Sequence, residues 1–126
     1  MGLTYANILV ENPFLKRSLE IKALVDSGAV FMTIPAHVAV QLGFDLEEVS
    51  TREVVLADGG RKSVPMVGPL RVRFADRYCD LSALVLGDEA LFGAVPMEMI
   101  DLVQHPANQT PTVNPESPYV PVAILK

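Results

Sequence analysis

The sequence predicts a mostly-β single domain with two short helices. Three observations lead there. Runs of β-branched and aromatic residues recur at short intervals, turn-forming Gly, Pro, Asn and Asp separate them, and only two stretches carry helical spacing. A chain of 126 residues with 50% hydrophobic content can bury one core but not two.

Residues 3–10 and 18–25 are rich in β-formers, and Asn12-Pro13 supplies the turn that makes them a hairpin. The second arm runs through Ala23, Leu24 and Val25 into Asp26, Ser27, Gly28 and Ala29, the one place where an apolar run meets a carboxylate, a hydroxyl and a glycine. A buried strand delivering an ionised carboxylate to a turn demands either compensating donors or a chemical role. Beyond the apolar Val30, Phe31 and Met32, Pro35 suits the first turn of a helix, Val38 and Leu42 share one face, and Gly43 ends it. Asp45, Glu47 and Glu48 then read as a solvated turn.

Residues 51–57 form a strand that reaches Asp58-Gly59-Gly60, and residues 61–67 lead away, giving a hairpin with a glycine-rich tip. Pro65 places the second arm at an edge, or turns its missing donor to solvent. Leu70, Val72 and Phe74 alternate with Arg71 and Arg73, which predicts a half-buried strand with a solvated basic face. Residues 78–86 form another strand, and Gly87-Asp88-Glu89 turns the chain. Leu91 and Phe92 then meet Gly93, and Met97, Ile100 and Val103 are spaced as one face of a short helix that Pro96 begins. Four prolines between 106 and 118 predict an extended or loop-like approach to a last apolar segment at 119–125. The expected division is a domain at 1–106 and a proline-rich extension at 107–126 that ends in a strand.

Several functions are excluded by composition. A net charge of -5, with the ten Lys and Arg residues spread along the chain, argues against a nucleic-acid partner. No run is long enough for a membrane-spanning helix, and the first residues lack an export signal or a myristoylation motif. The single Cys79 forms no intramolecular disulfide, which fits a reducing compartment and makes the cytoplasm the expected location. There is no phosphate loop and no metal-ligand cluster, so neither a metal nor another cofactor is expected. His37 and His105 read as surface or packing residues, and Met32, Met66, Met97 and Met99 as core filler.

Four motifs stand in order: two apolar residues before Asp26-Ser27-Gly28-Ala29, Ile34-Pro35 at a helix entry, Ala57-Asp58-Gly59-Gly60 at a hairpin tip, and Leu91-Phe92-Gly93 before a helix. Together they resemble the retropepsin-like aspartic proteases, over roughly residues 5–106. The resemblance implies a closed β-barrel with short helices and a flap hairpin, one lobe per chain. It implies Asp26 as the catalytic residue, supported by Ser27, Gly28 and Ala29. The 54–67 hairpin becomes the flap, tipped by Ala57, Asp58, Gly59 and Gly60, and Val30, Phe31, Leu56, Ala57 and Val95 become candidate pocket residues. Leu91, Phe92 and Gly93 become a structural motif. Ser27 takes the place of the commoner Thr, a change the family tolerates. Asp101 stands where relatives often have the Gly that ends the last helix, so a different helix end is expected.

Peptide hydrolysis by this route needs two carboxylates sharing one proton, and this chain offers one in the right context. The expected assembly is a C2 homodimer acting on a polypeptide substrate as an aspartic endopeptidase. Two other readings compete with it. A non-catalytic module of the same fold would bind extended peptides without cutting them. A structural β domain in which Asp26 merely caps a turn would stay monomeric.

Overall fold

The computed structural model describes residues 4–26, 28–105 and 110–113. Strand β1, Thr4–Asn12, buries alternate residues: Ala6, Ile8 and Val10 point to the core, while Asn7 is exposed. This period of two follows from the pleat and lets one face supply the interior. Strand β2, Arg17–Val25, pairs antiparallel along all of β1. The turn between them is built by Asn12, whose Oδ1 accepts the Phe14 N–H at 3.1 Å. Its Nδ2 also donates to the Leu42 carbonyl at 3.0 Å, tying the hairpin to the first helix.

That helix, α1, is Ala36–Gln41, with Pro35 at its N-cap. Val38, Ala39 and Leu42 pack inward, and Gly43 takes φ +91°, the left-handed region that glycine enters freely at a helix end. The two-residue strand β3, Thr33–Ile34, precedes α1. His37 is exposed on α1, and the acidic turn at Asp45, Glu47 and Glu48 is largely open to solvent.

Strand β4, Thr51–Val55, pairs antiparallel with the start of β5, Arg61–Phe74. The sequence predicts two separate strands here, 61–67 and 70–74; β5 runs through both. The ladder to β6, Arg77–Val85, slips between Val67 and Leu70, where Gly68 and Pro69 stand. A Cβ on Gly68 would sit 2.5 Å from Ser82 Oγ, so glycine is what lets the strand pass. Arg71 and Arg73 are less free than a solvated face implies. Arg71 makes a two-pronged contact to Asp80 at 2.8 and 3.0 Å, Arg73 lies 3.5 Å from Glu11, and both guanidinium groups lie over Tyr78.

Strand β7, Ala90–Phe92, leads into helix α2, Ala94–Met99, whose N-cap is Gly93. Pro96 therefore lies inside the first turn and does not begin the helix. Met97 and Ile100 are buried as expected, but Val103 belongs to strand β8, Leu102–His105, rather than to the helix. The chain leaves α2 at Asp101, which takes φ +57°. The different helix end expected at Asp101 is a residue in the backbone conformation glycine favours, one that Asp tolerates better than most residues. Buried Arg77 caps this end, its Nη1 donating to the carbonyls of Ile100 and Asp101 at 3.0 Å each.

Strand β9, Thr110–Val113, pairs antiparallel with β8 in a separate two-stranded sheet. The sequence predicts an extended or loop-like stretch there, and residues 110–113 are extended in a strand. The segment 119–125 lies outside the described residues.

The main sheet runs β1-β2-β7-β3-β6-β5-β4, and pairing of β1 with β5 closes six of these strands into a barrel, leaving β4 as a projecting arm. Phe92, Ile8, Ile34, Leu70, Val10 and Val72 fill its interior. Of the methionines, Met32 and Met97 are core filler, whereas Met66 is half-buried and Met99 exposed. Buried Cys79 is free, and desolvation pushes its thiol up from 9.0 to about 11. No helix among the described residues is long and apolar enough to cross a membrane.

Candidate active site

Asp26 stands at the end of β2, where that strand runs parallel to β7 with Leu24 opposite Leu91 and Val25 opposite Phe92. The ladder continues one step further, since the Asp26 N–H donates to the Phe92 carbonyl at 3.1 Å. The backbone then turns, and the Ala29 N–H returns to the Asp26 carbonyl at 3.1 Å. Asp26 Oδ1 accepts the Gly28 N–H at 2.9 Å, so a main-chain donor orients the carboxylate. A Cβ on Gly28 would lie 3.1 Å from that same oxygen, which makes any side chain there compete with it. Ser27 lies outside the described residues.

The loop carrying Asp26 is clamped by the entry to α2. Ala94 N–H donates to the Ala29 carbonyl at 2.7 Å and Val95 N–H to the Val30 carbonyl at 3.0 Å. Gly93 sits beneath, where a Cβ would meet the carbonyl oxygens of Phe31 at 2.6 Å and Ala29 at 2.7 Å. Thus Leu91-Phe92-Gly93 has a physical meaning. The buried Phe92 ring anchors the barrel, its carbonyl holds Asp26, and Gly93 permits close approach of the loop.

The sequence places Asp26 at the end of a buried strand, and Ala23 and Val25 are buried, but the carboxylate itself is exposed on the single chain. Around it the surface is apolar: Val30 is 56% exposed, Phe31 43% and Val95 40%. Large apolar side chains open to solvent beside a fixed carboxylate mark a surface made to be covered.

The hairpin tip expected to serve as the flap tip joins β4 and β5. Leu56 N–H donates to the Gly60 carbonyl at 2.7 Å, and Gly59 takes φ +85°. Asp58 repeats the local geometry of Asp26, its Oδ1 accepting the Gly60 N–H at 2.8 Å. Leu56 is half-buried and Ala57 exposed. A groove of roughly 270 Å³ beside the hairpin's second arm is lined by Leu46, Lys62, Pro65 and Leu86 among others, and by none of the expected site residues. Among the described residues, no group of three or more His, Cys, Asp or Glu side chains gathers where it could hold a metal ion.

Sequence reasoning misses the main-chain partners of Asp26, because a carbonyl or amide contact leaves no residue-type signature. It also passes over Arg52, whose guanidinium lies over the Phe31 ring; the alternation along β4 is the signal that could have found it.

A closed six-stranded barrel that presents an Asp-x-Gly turn between a flap hairpin and an apolar-Gly helix entry is the lobe architecture of a retropepsin-like aspartic protease. Residues 16–102 match the aspartyl protease family, and the chain belongs to it. Among solved structures, it is similar to the retroviral protease-like domain of Ddi1 from Leishmania major, with a TM-score of 0.65 and 18% identity over 91% of this chain and 90% of that one. It is also similar to a retropepsin-like aspartic protease from Rickettsia conorii, with a TM-score of 0.57 and 21% identity over 82% of this chain and 89% of that one. Comparison with curated proteins returns no match.

Proposed function

We propose that this chain is one half of a homodimeric aspartic endopeptidase, with the two Asp26 carboxylates facing each other across a twofold axis. The observation that carries the reading is a single exposed Asp26, oriented by Gly28 N–H and rimmed by exposed Val30, Phe31 and Val95. A second copy supplies both the missing carboxylate and the cover for the apolar rim.

In the assembled site one carboxylate is ionised and the other protonated. The ionised group takes a proton from a water as its oxygen adds to the scissile carbonyl carbon, while the protonated group donates to the carbonyl oxygen. Collapse breaks the C–N bond as the carboxyl that took the water's proton passes it to the leaving nitrogen, and the intermediate's hydroxyl proton returns to the other carboxylate, which restores the single shared proton. The 54–67 hairpin closes over an extended peptide held as an added strand, and exclusion of bulk water strengthens the carboxylate interactions. Leu56 and Ala57 of the hairpin and Val30, Phe31 and Val95 of the lobe line its side-chain pockets. The catalytic unit is assigned to 1–106 and the remainder to an extension at the subunit boundary, in a reducing cytoplasmic setting.

Asp26→Asn tests this directly. It retains the 2.9 Å acceptor geometry in its side-chain oxygen, so the fold and Tm are preserved while peptide cleavage is lost. Cleavage by the purified variant at the wild-type rate contradicts the assignment.

A further inference from the structure

The projecting hairpin has two faces of opposite chemistry. Strand alternation puts Arg52 and Val54 on one face with their register partners Val64 and Lys62, and Glu53 and Val55 on the other with Ser63 and Arg61. Val64 is buried and Val54 half-buried, so the first face turns toward the barrel. Charges on the outer face are matched, with Arg61 Nη1 2.6 Å from Glu53 Oε1. Those on the inner face are both positive. Among the described residues, neither Arg52 nor Lys62 pairs with a carboxylate.

Arg52 lies instead 5.0 Å from the centre of the Phe31 ring. Phe31 belongs to the loop that starts at Asp26, and its carbonyl is packed against Gly93. The backbone of Phe31 is therefore anchored in the loop that carries the candidate catalytic carboxylate, and Arg52 stacks on its ring. An aromatic face steadies a cation but supplies no acceptor in the guanidinium plane, so the N–H fork of Arg52 remains available to a carboxylate arriving from the cleft. In a chain of net charge -5, this leaves a cation without a carboxylate partner at the corner between flap and loop.

We propose that Arg52, seated on Phe31, is a specificity-determining residue that receives an Asp or Glu side chain of the peptide substrate. The proposal rests on the endopeptidase reading for the location of the cleft. Twofold symmetry places one such subsite on each side of the scissile bond.

The test is a peptide series in which Glu, Ala or Lys is scanned through the four positions on each side of the cleaved bond. The expected result is one position per side where Glu raises kcat/KM over Ala by about tenfold or more, and where rising salt shrinks the advantage. Arg52→Met brings that Glu-to-Ala ratio near one, and Arg52→Glu inverts it in favour of Lys. A ratio that Arg52→Met leaves unchanged overturns the proposal while cleavage itself stands. Binding of the same peptides to Asp26→Asn separates the two readings. Glu-dependent binding without turnover by the wild type keeps the subsite and removes the endopeptidase, whereas charge-blind binding removes the subsite.

Discussion

At buried Gly93 the requirement is space. A Cβ would sit within 2.7 Å of two backbone carbonyl oxygens, neither of which can swing aside like a side chain. Gly93→Ala is expected to cost about 1–3 kcal/mol and to displace the loop that carries Asp26. Thermal unfolding checks the first effect, and loss of kcat/KM beyond the change in folded fraction checks the second. Cys79 makes a different prediction. Its thiol is held protonated up to about 11, so in the native protein it resists alkylation at pH 8. The unfolded thiol ionises from 9.0 upward while the folded one does not, so this group's contribution to stability is full below 9.0 and is lost as pH rises through about 11. Denaturant titrations at pH 8 and pH 10.5 check the sign. Asp26 and its glycine are legible because an apolar run ending in a carboxylate is a chemical contradiction that sequence alone exposes. The exposure of Asp26 is not, since a strand's burial does not extend to the turn that follows it.

The hairpin that ends at Gly59 and the helix α2 show why elements differ in legibility. The flap is legible from Asp58-Gly59-Gly60 between two β-rich arms, because left-handed turns select glycine. Gly59 holds φ +85°, and a Cβ added there would meet nothing within 4 Å, so Gly59→Ala strains the backbone without a clash. Strain of roughly 1–2 kcal/mol at the tip is a cost of the folded state, so Tm is expected to fall by several degrees, and kcat/KM of the protein that remains folded is expected to fall as well because the strained tip is displaced. An unchanged kcat/KM in the folded variant would contradict the role of the tip as a flap. Val103 misleads because Met97, Ile100 and Val103 keep helical spacing across a helix that has already ended. Asp101 reverses the backbone there, and Arg77, 23 residues earlier than Ile100, caps the end. Neither event leaves a periodic trace. The long β5 is hidden for a similar reason: Gly68 and Pro69 read as a break, yet the strand continues over Ser82 with a slip in register.

At the scale of the whole molecule, closure of the barrel by β1 and β5 joins residues 11 and 71, a long-range pairing that local propensity cannot specify. What the sequence carries is the order of the motifs, and that order is enough to bring the fold within reach. Phe92→Ala, which empties the centre of this barrel, is expected to cost about 3–5 kcal/mol by denaturant unfolding. The proposed dimer is a claim of the same scale, since each chain presents one exposed carboxylate, Asp26, among exposed Val30, Phe31 and Val95. Mixing wild-type and Asp26→Asn chains at constant total protein, with time to exchange subunits, tests it most directly. If the site takes one Asp26 from each chain, activity follows the square of the wild-type fraction, and an equal mixture retains roughly a quarter of the full rate. Activity that falls in simple proportion, with half the rate at the equal mixture, would show that each chain cuts alone and would contradict the shared site.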